Sequence, residues 1–454
     1  MAATNDFTQG SVPGNILRIA LPLTLAQLVN LLYSIVDRIY LGRIPEVGRT
    51  ALTGVGVCLP VISIVLAFAN LCSSGGAPLC SIHRGKGEEE EARQIMGNAF
   101  TLLLLFGAVL TAVGLVFHEP LLYLFGASDI TFPYARDYLV IYLTGTMFVM
   151  ISLGMNPFIN AQGFARTGMF TVILGAVLNL VLDPVLIFGL HMGVRGAAVA
   201  TVISQGCSAA WVLLFLTGSR TVLRLTFASM RLAAERVGKI LSLGLSGFFM
   251  AVTNSLVQIL CNASLQFYGG DLYVSVMTVI NAVREVISVP VSGLTQGCQP
   301  VLGFNYGAGE YGRVRRGIRF TAALVVLVAV TLWAVAMLFP ETLIRIFNDD
   351  EELLTAGVSA FRIYFATFFG MAFMFAGQST FVALGRAKHS IFFSLLRKVG
   401  IVAPLTLILP GVFGMGVNGV FLAEPISNVV GGAASFTTML ICVYRPLKRR
   451  EAQA

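Results

Sequence analysis

The sequence repeats itself from about halfway along its 454 residues, so the fold must accommodate two similar halves. Five short motifs of the first half return in the second half in the same order and at nearly constant spacing. The motif pairs are Gly14–Leu17 with Gly238–Leu241, Gly85–Glu88 with Gly307–Glu310, Leu124–Phe125 with Ile346–Phe347, Ile141–Tyr142 with Ile363–Tyr364, and Met192–Gly196 with Met415–Gly419. One bundle has therefore been duplicated along the chain.

The composition places both copies in a membrane. Hydrophobic residues make up 56% of the chain and charged residues 11%, whereas a soluble protein carries about 25% charged residues. A helix needs roughly 20 apolar residues to cross a bilayer, and each half contains six such runs. These runs cover 16–40, 53–82, 94–117, 134–158, 166–189, 194–217, 240–266, 272–300, 317–339, 356–383, 390–411 and 416–443.

Long unbroken runs favour helices, because strands of a membrane barrel are short and alternating. The expected fold class is an all-α integral membrane protein with twelve transmembrane helices in two pseudo-symmetric six-helix bundles. We expect an N-terminal six-helix lobe at 1–217, a basic linker loop at 218–239 and a C-terminal six-helix lobe at 240–454. Two repeats that rock around a shared site are the usual construction of a membrane transporter.

Basic residues are distributed unevenly between the predicted loops. Of the 30 lysines and arginines, 22 fall at the termini or in even-numbered loops, seven fall on the other side, and Arg284 falls inside a span. The 22 include Arg397 and Lys398, which we assign to a cytoplasmic loop. The positive-inside rule then places both termini in the cytoplasm. We expect a multi-pass protein of the plasma (inner) membrane. The net charge of +8 follows this topology, so we expect no nucleic-acid partner.

The sequence lacks the usual signatures of an enzyme. It contains no Gly-x-x-x-x-Gly-Lys-[Ser/Thr] phosphate loop, so ATP hydrolysis within this chain is not the expected driving force. The seven cysteines fall within predicted spans without a Cys-x-x-Cys pair, and the four histidines lie far apart, which gives no metal-ligand spacing. We expect no catalytic residues and no cofactor, and an ion gradient becomes the energy source to consider.

Polar residues in the first span form a stripe that ends at an acid. Gln27, Asn30, Ser34 and Asp37 are spaced three or four residues apart, which places all four on one helix face. A charge inside a span costs several kcal/mol and is by default a functional hypothesis. The alternative is that Asp37 lies at the membrane interface and pairs with Arg38 or another neighbour.

A second acid lies in the fifth span. Asn179 and Asp183 are one turn apart and share a face, and Pro184 frees a backbone carbonyl by removing one donor. Carboxylate and carbonyl oxygens suit a hard cation, and a carboxyl can also hold a proton. Thr201 in the sixth span could add a hydroxyl. The alternative is an Asp-Pro kink at a helix end without ion chemistry.

The second half carries different polar residues. Asn254 and Gln258 lie on one face of the seventh span, and Asn281 and Glu285 lie on one face of the eighth. Glu424 in the twelfth span is the repeat counterpart of Thr201 at the spacing that the neighbouring motifs set. We treat all of these, with the stripe of the first span, as candidate cavity or substrate residues. Arg284 and Glu285 could instead form a local structural charge pair.

Several motifs together resemble the multidrug and toxic compound extrusion (MATE) family, and the fit is best to its prokaryotic DinF-like and MepA-like branch. The motifs are Tyr33–Gly42, Asn179–Pro184, Gly193–Ala198, and Asn305–Gly309 followed by Arg313–Arg315. The resemblance covers the whole chain. It implies a V-shaped pair of lobes and antiport of organic, often cationic, compounds against H⁺ or Na⁺ by alternating access.

The resemblance also implies roles for individual residues. The family's N-lobe cation network falls on Asp37, Asn179, Asp183 and Thr201, with transient Na⁺ at the two acids as the only metal binding. Arg38, directly after Asp37, departs from the small or neutral residue that related sequences often carry. The implied partners are small lipophilic cations and membrane lipids, and we expect a monomer.

One alternative function comes from the same superfamily. A lipid-linked saccharide flippase usually has about fourteen spans and a strongly basic central cavity. The twelve predicted spans and Arg284 as the single intramembrane arginine argue against this alternative. A membrane-embedded enzyme or receptor would need a catalytic constellation that the sequence does not show.

Overall fold

The computed structural model describes residues 6–45, 47–346 and 350–453, and this part of the chain is almost entirely helical. The first half contains α1 (Val12–Gly42), α2 (Gly48–Gly85), α3 (Glu89–Leu124), α4 (Phe132–Thr144), α5 (Thr146–Ala161), α6 (Ala165–Pro184) and α7 (Val194–Thr217). The second contains α8 (Ala234–Gly307), α9 (Tyr311–Leu338), α10 (Pro340–Arg345), α11 (Glu351–Phe365), α12 (Gly370–Ala383), α13 (Ala387–Leu395), α14 (Ala403–Gly411), α15 (Gly416–Met439) and α16 (Arg445–Glu451). Short π-helical turns extend α6 (Val185–Gly189), join α13 to α14 (Leu396–Val402) and join α15 to α16 (Leu440–Tyr444).

The helix lengths account for the predicted number of spans. Within the described residues, nine helices are long and apolar enough to cross a membrane, and two bent pairs raise this number to eleven. The bent pairs are α4 with α5, at 57°, and α11 with α12, at 47°. The 74 residues of α8 would extend about 110 Å, far beyond a hydrocarbon core of about 30 Å. Its backbone breaks at Gly270, so α8 supplies two spans and twelve result, as predicted.

The duplication is visible in the backbone as well as in the sequence. Both halves bend their fourth span, and both adopt left-handed backbone conformations at matching loop positions. The matching pairs and their φ angles are Gly87 (79°) with Gly309 (78°), Gly163 (88°) with Gly385 (69°), His191 (52°) with Gly414 (65°), and Gly193 (55°) with Gly416 (53°). His191 is the one non-glycine residue with positive φ among the described residues. Its conformation therefore belongs to the repeated loop geometry.

The described chain forms two compact units that do not follow the halves strictly. One unit comprises Leu25–Gly244 with Asp6, and the other comprises Phe7–Thr24 with the chain from Leu245 onward. The start of α1 therefore belongs to the second unit, and the start of α8 belongs to the first.

Glycines allow these helix starts to pack closely within their units. A Cβ on Gly75 would clash with the backbone carbonyl of Ile240 at the start of α8. At the repeat-equivalent position, a Cβ on Gly297 would clash with the backbone of Ala20 at the start of α1. The two starts are thus held by the same type of helix contact.

The segment before each of these helices is fixed by side-chain hydrogen bonds to its backbone. In the first unit, Asn98 Nδ2 donates to the carbonyls of Ser229 (3.3 Å) and Arg231 (2.9 Å), and its Oδ1 accepts from the Ala233 amide (2.9 Å). In the second unit, the Arg313 guanidinium donates to three carbonyls of the segment before α1. The predicted linker at 218–239 therefore packs on the first unit.

Candidate functional site

The polar residues predicted in the fifth and sixth spans meet in the first unit. Asn179 and Asp183 lie one turn apart on α6, and Asn179 Nδ2 approaches Asp183 Oδ1 at 3.5 Å. The same amide approaches Thr201 Oγ1 on α7 at 3.4 Å. Thr201 in turn donates to the Ala197 carbonyl of its own helix at 3.0 Å. Asn179 thereby connects the acid of α6 to the hydroxyl of α7.

Asp37 on α1 completes this cluster. Its carboxyl group lies within hydrogen-bonding reach of the Asp183 carboxyl group. Asp183 is 1% exposed and Asn179 is 2% exposed, whereas Asp37 is half-buried and Arg38 is exposed. Side chains predicted on three separate spans therefore form one group, which we call the acidic cluster (Asp37, Asn179, Asp183 and Thr201).

Three oxygens of the acidic cluster have no hydrogen-bond donor. Asp37 Oδ1, Asn179 Oδ1 and Asp183 Oδ2 are buried, and no described residue donates to them. A buried acceptor without a partner carries the full desolvation penalty of the group. Such a set of oxygens suits a hard cation or a proton, because either would supply the missing favourable contact.

A small cavity of about 30 Å³ adjoins the acidic cluster. Its lining includes Asn30 and Tyr33 of α1 together with Asn179 and Thr201. One water molecule needs roughly 10–15 Å³ by this measure, so the space suits water or a small ion. Gln27 and Ser34, the other members of the predicted α1 stripe, are half-buried and do not line it.

Sequence reasoning missed several polar residues of this region. Tyr33 lines the cavity, and the Tyr138 hydroxyl on α4 faces Thr201. Ser152 on α5 donates to Gln205 Oε1 on α7 at 2.6 Å, and both residues also line the cavity. Uncharged side chains in an apolar helix give little signal by themselves, since only tertiary packing brings them together.

The second unit contains a charged cluster in which positive side chains outnumber negative ones. Glu424 on α15 accepts from Arg397 Nη2 at 3.0 Å and from Lys398 Nζ at 3.3 Å. Arg397 Nη1 also donates to Asn428 Oδ1, one turn after Glu424, at 2.8 Å. The exposed fractions of the three charged residues are 5–7%. We call Arg284, Arg397, Lys398 and Glu424 the basic cluster.

The basic cluster corrects two statements made from the sequence. Arg397 and Lys398 were assigned to a cytoplasmic loop, yet they lie in the π-helical turn between α13 and α14, inside the apolar segment Ala387–Gly411. Arg284 is therefore not the single intramembrane arginine. Arg397 and Lys398 also fall within the predicted span 390–411, which agrees with their position in the structure.

A second cavity of about 30 Å³ adjoins the basic cluster. Three predicted amide residues line it, together with members of the cluster and Tyr364. The lining residues that carry polar side chains are Asn254, Gln258, Cys261, Asn281, Arg284, Tyr364, Lys398 and Glu424. The structure thus brings Asn254, Gln258, Asn281 and Glu424 to one cavity, as members of one candidate site.

Glu285 lies apart from this cavity. Its side chain is exposed and does not line the cavity. Among the described residues it makes no ion pair with Arg284 within 4.0 Å, although the two charges still interact, so the local Arg284–Glu285 pair stays a prediction. The Nε of Arg284 is buried without a hydrogen-bond partner in this part of the chain.

Neither cluster resembles a conventional metal centre. In the described ranges, no three His, Cys, Asp or Glu side chains are grouped as metal ligands. The acidic cluster supplies two carboxylates, an amide and a hydroxyl, which suits transient binding of a proton or a hard monovalent cation. The basic cluster supplies an excess of positive donors.

Comparisons with known proteins agree with this architecture. The MatE family model matches residues 22–185 and again 247–408, once in each half. The multidrug export protein MepA of Staphylococcus haemolyticus is 22% identical over 96% of this chain and 94% of its own length. An FAD transporter of Shewanella oneidensis is 25% identical over 92% of this chain and 93% of its own length.

Solved structures share the fold over nearly the whole chain. The crystal structure of a MATE protein in complex with MaL6 has a TM-score of 0.92, with 22% identity over 99% of this chain and 100% of that one. A transporter of the MOP superfamily from Pyrococcus furiosus, described as having a binding pocket of reverse polarity, has a TM-score of 0.91 at 23% identity over 97% and 98%. Because the family model covers most of both halves, the chain belongs to the MatE (MATE) family of membrane transporters.

Proposed function

We propose that this protein is a secondary active efflux transporter that exchanges organic compounds for H⁺ or Na⁺ by alternating access. The observation that carries the proposal is the acidic cluster, in which Asp37, Asn179 and Asp183 each present a buried oxygen without a donor. These oxygens come from two helices, α1 and α6, and the cluster adjoins a cavity large enough for an ion.

The chemistry of the cluster couples cation binding to the arrangement of α1. Two ionised carboxylates within hydrogen-bonding reach repel each other, and low dielectric strengthens the repulsion. A proton shared between Asp37 and Asp183, or a Na⁺ held by both, converts this repulsion into an attraction. Cation binding therefore draws the second half of α1 towards α6, and cation release frees it.

The start of α1 belongs to the second unit, whereas Asp37 belongs to the first. A cation-dependent force on Asp37 therefore acts on a helix that is anchored in both units. Ligands shift a conformational equilibrium only through differential affinity for its states. We propose that the cation binds one conformational state more tightly because of its contacts with α1. The exported compound binds the other state more tightly.

The exported compounds are proposed to be small and organic. The relatives include a multidrug export protein and an FAD transporter, so both lipophilic cations and a phosphate-containing dinucleotide belong in the test set. We further propose that the protein lies in the plasma membrane as a monomer, in contact with its lipids and with both termini in the cytoplasm.

Transport into proteoliposomes tests this proposal. Proton and sodium gradients are imposed separately, and movement of a panel of lipophilic cations and of FAD is measured. We expect one gradient to drive transport in the wild type and neither to do so in Asp37→Asn or Asp183→Asn. Asp137→Asn is the matched control, because Asp137 lies in the same unit and pairs with the exposed Arg195 at 2.9 Å.

Two outcomes would refute the coupling assignment. One is gradient-driven transport that persists at the wild-type rate in both Asp37→Asn and Asp183→Asn. The other is equal loss in the Asp137→Asn control, which would show that carboxylate removal damages the unit in general. A wild type that moves no compound under either gradient would refute antiport itself.

A flippase for lipid-linked saccharides is a second candidate, and one observation favours it. The second unit buries the basic residues Arg397 and Lys398 in addition to the half-buried Arg284, which weakens the argument from a single intramembrane arginine. The twelve spans still favour efflux. Translocation of a lipid-linked oligosaccharide in vesicles, abolished by Arg284→Ala, would establish the flippase, and its absence would exclude it.

A further inference from the structure

We infer that the basic cluster of the second unit binds an anionic group, a phosphate or a carboxylate, of the compound that is transported. The inference specifies the substrate class of the proposed transporter and therefore rests on that proposed function. It departs from the expectation of purely cationic substrates.

The charge balance of the cluster is the first argument. Arg284, Arg397 and Lys398 carry three positive charges, and Glu424 carries the one negative charge among the side chains grouped here. Including the exposed Glu285 beside Arg284 still leaves the group net positive. A buried charge without compensation costs several kcal/mol, so a purely structural ion pair would not gather three cations around one acid.

The hydrogen bonds show where the charge excess lies. Glu424 accepts hydrogen bonds from both Arg397 and Lys398, and Arg397 also donates a hydrogen bond to Asn428. Arg284 forms no ion pair with a described residue, and its buried Nε has no acceptor there. Arg284 is half-buried, and the planar donors of its guanidinium match carboxylate and phosphate oxygens.

A cavity lies beside these donors. Arg284, Lys398 and Glu424 line the same cavity of about 30 Å³, which exceeds the roughly 10–15 Å³ that one water requires. The neutral donors Asn254, Gln258 and Asn281 line it too. A small anionic group there would meet Arg284 and Lys398 directly, and the amides would complete its hydrogen bonds.

Glu424 limits how strong this binding can be. Its carboxylate neutralises part of the positive charge of Lys398 at 3.3 Å and repels an anion. A transporter must release its substrate, and a net charge that is positive but partly neutralised suits reversible binding. The acid also keeps Arg397 and Lys398 in place when no anion is bound.

Riboflavin and riboflavin 5′-phosphate form a matched probe pair, since they share one fluorescent ring system and differ by a phosphate. Fluorescence anisotropy with purified full-length protein in detergent gives the affinity for each probe. We expect the phosphate to increase affinity at least about tenfold, equivalent to about 1.4 kcal/mol. We expect Arg284→Gln, and independently Lys398→Gln, to reduce this ratio to about one to three.

Arg362→Gln is the control, because Arg362 is an exposed arginine of α11 in the same unit; it should keep the wild-type ratio. Size-exclusion profiles and thermal unfolding show which variants remain folded, and the Lys398→Gln variant serves if Arg284→Gln does not fold. Equal affinity for both probes in the wild type, or saturable binding of neither, would overturn the inference. An unchanged ratio in both folded variants would overturn it as well.

A second arm distinguishes the source of the anionic group. Phosphatidylglycerol in the detergent micelles should displace riboflavin 5′-phosphate if the cluster accepts a lipid headgroup, and should leave it bound if the cluster accepts only soluble compounds. Gradient-driven transport is measured separately on the same preparations. Phosphate-dependent binding without gradient-driven transport would refute antiport while supporting the anion site. Gradient-driven transport without phosphate-dependent binding would refute the anion site alone.

Discussion

The most direct test of the basic cluster is removal of its single acid by Glu424→Gln. This substitution keeps the size of the side chain and removes its negative charge. Arg397 and Lys398, which contact Glu424 at 3.0 Å and 3.3 Å, then remain buried without a counter-ion. Because all three residues are at most 7% exposed, bulk solvent cannot readily replace the lost carboxylate.

Breaking a buried ion pair by removing one partner costs about 3–5 kcal/mol. The unfolding entropy of proteins is about 2.1 cal/mol/K per residue, so a cooperative unit of roughly 230 residues would lose about 6–10 °C of Tm. The assay is thermal unfolding of the purified protein in detergent, followed by intrinsic fluorescence. Glu285→Gln is the matched control, because Glu285 is an exposed acid of the same unit.

A double variant separates charge from packing. Lys398→Gln on the Glu424→Gln background removes one of the two cations left without a counter-ion, so part of the lost Tm should return. Residues in one ion-pair network show such non-additivity, by about 0.5–3 kcal/mol. A Tm for Glu424→Gln within about 2 °C of the Glu285→Gln control, by the same entropy scale, would refute the reasoning. A double variant that is less stable than either single variant would also refute it.

Three further substitutions probe how the two helix starts are held. Arg313→Ala removes the donors that fix the segment before α1, so amide hydrogen exchange should accelerate there and remain unchanged elsewhere in the second unit. Asn98→Ala leaves buried backbone groups of the linker without partners, and should cost about 1–3 kcal/mol in chemical unfolding. Gly75→Val should destabilise the first unit by about 1–3 kcal/mol, because its Cβ meets the Ile240 carbonyl. Gly56→Val on the same helix, where nothing lies within 4 Å of the added Cβ, is the matched control. A wild-type rate of amide hydrogen exchange in Arg313→Ala, or wild-type free energies of unfolding in Asn98→Ala and Gly75→Val, would contradict the assigned contacts.

The sequence predicted the fold well because hydrophobicity acts locally along the chain. The sixth predicted span, 194–217, coincides with α7, and the others differ at their ends or merge. The spacing of Asn179 and Asp183 sufficed to place them on one helix face. Their proximity to Asp37 depends on how α1 packs on α6, and no local pattern encodes that packing.

The basic cluster was missed for a different physical reason. Lysine and arginine are so costly in a bilayer that their default location is a loop. Glu424, which lies on a later helix of the same unit, offsets this cost by accepting hydrogen bonds from Arg397 and Lys398. A π-helical turn at Leu396–Val402 accompanies them, and such turns occur often at functional sites. A search for charged residues within the predicted span 390–411 identifies both residues.

The two units use one scaffold for opposite chemistry, and a single pair of positions shows how. In the first half, Gly175 on α6 faces Ser208 on α7, and both line the cavity beside the acidic cluster. At the corresponding positions of the repeat, the second half places Arg397 against Gly431. The glycine lies on α6 in the first half and on α15 in the second, so the arginine stands at the position where the first half has a glycine.

The same exchange extends to the charged groups. Thr201 accepts a hydrogen bond from Asn179 within the acidic cluster, while its counterpart Glu424 anchors the basic cluster. The first unit therefore presents buried oxygens without donors, and the second presents more positive than negative side chains. In the proposed function, duplication supplied two equivalent positions for a ligand, and substitution made their electrostatic preferences opposite. Under the proposed exchange, the cation and the anionic compound therefore bind at different positions and shift one conformational equilibrium in opposite directions.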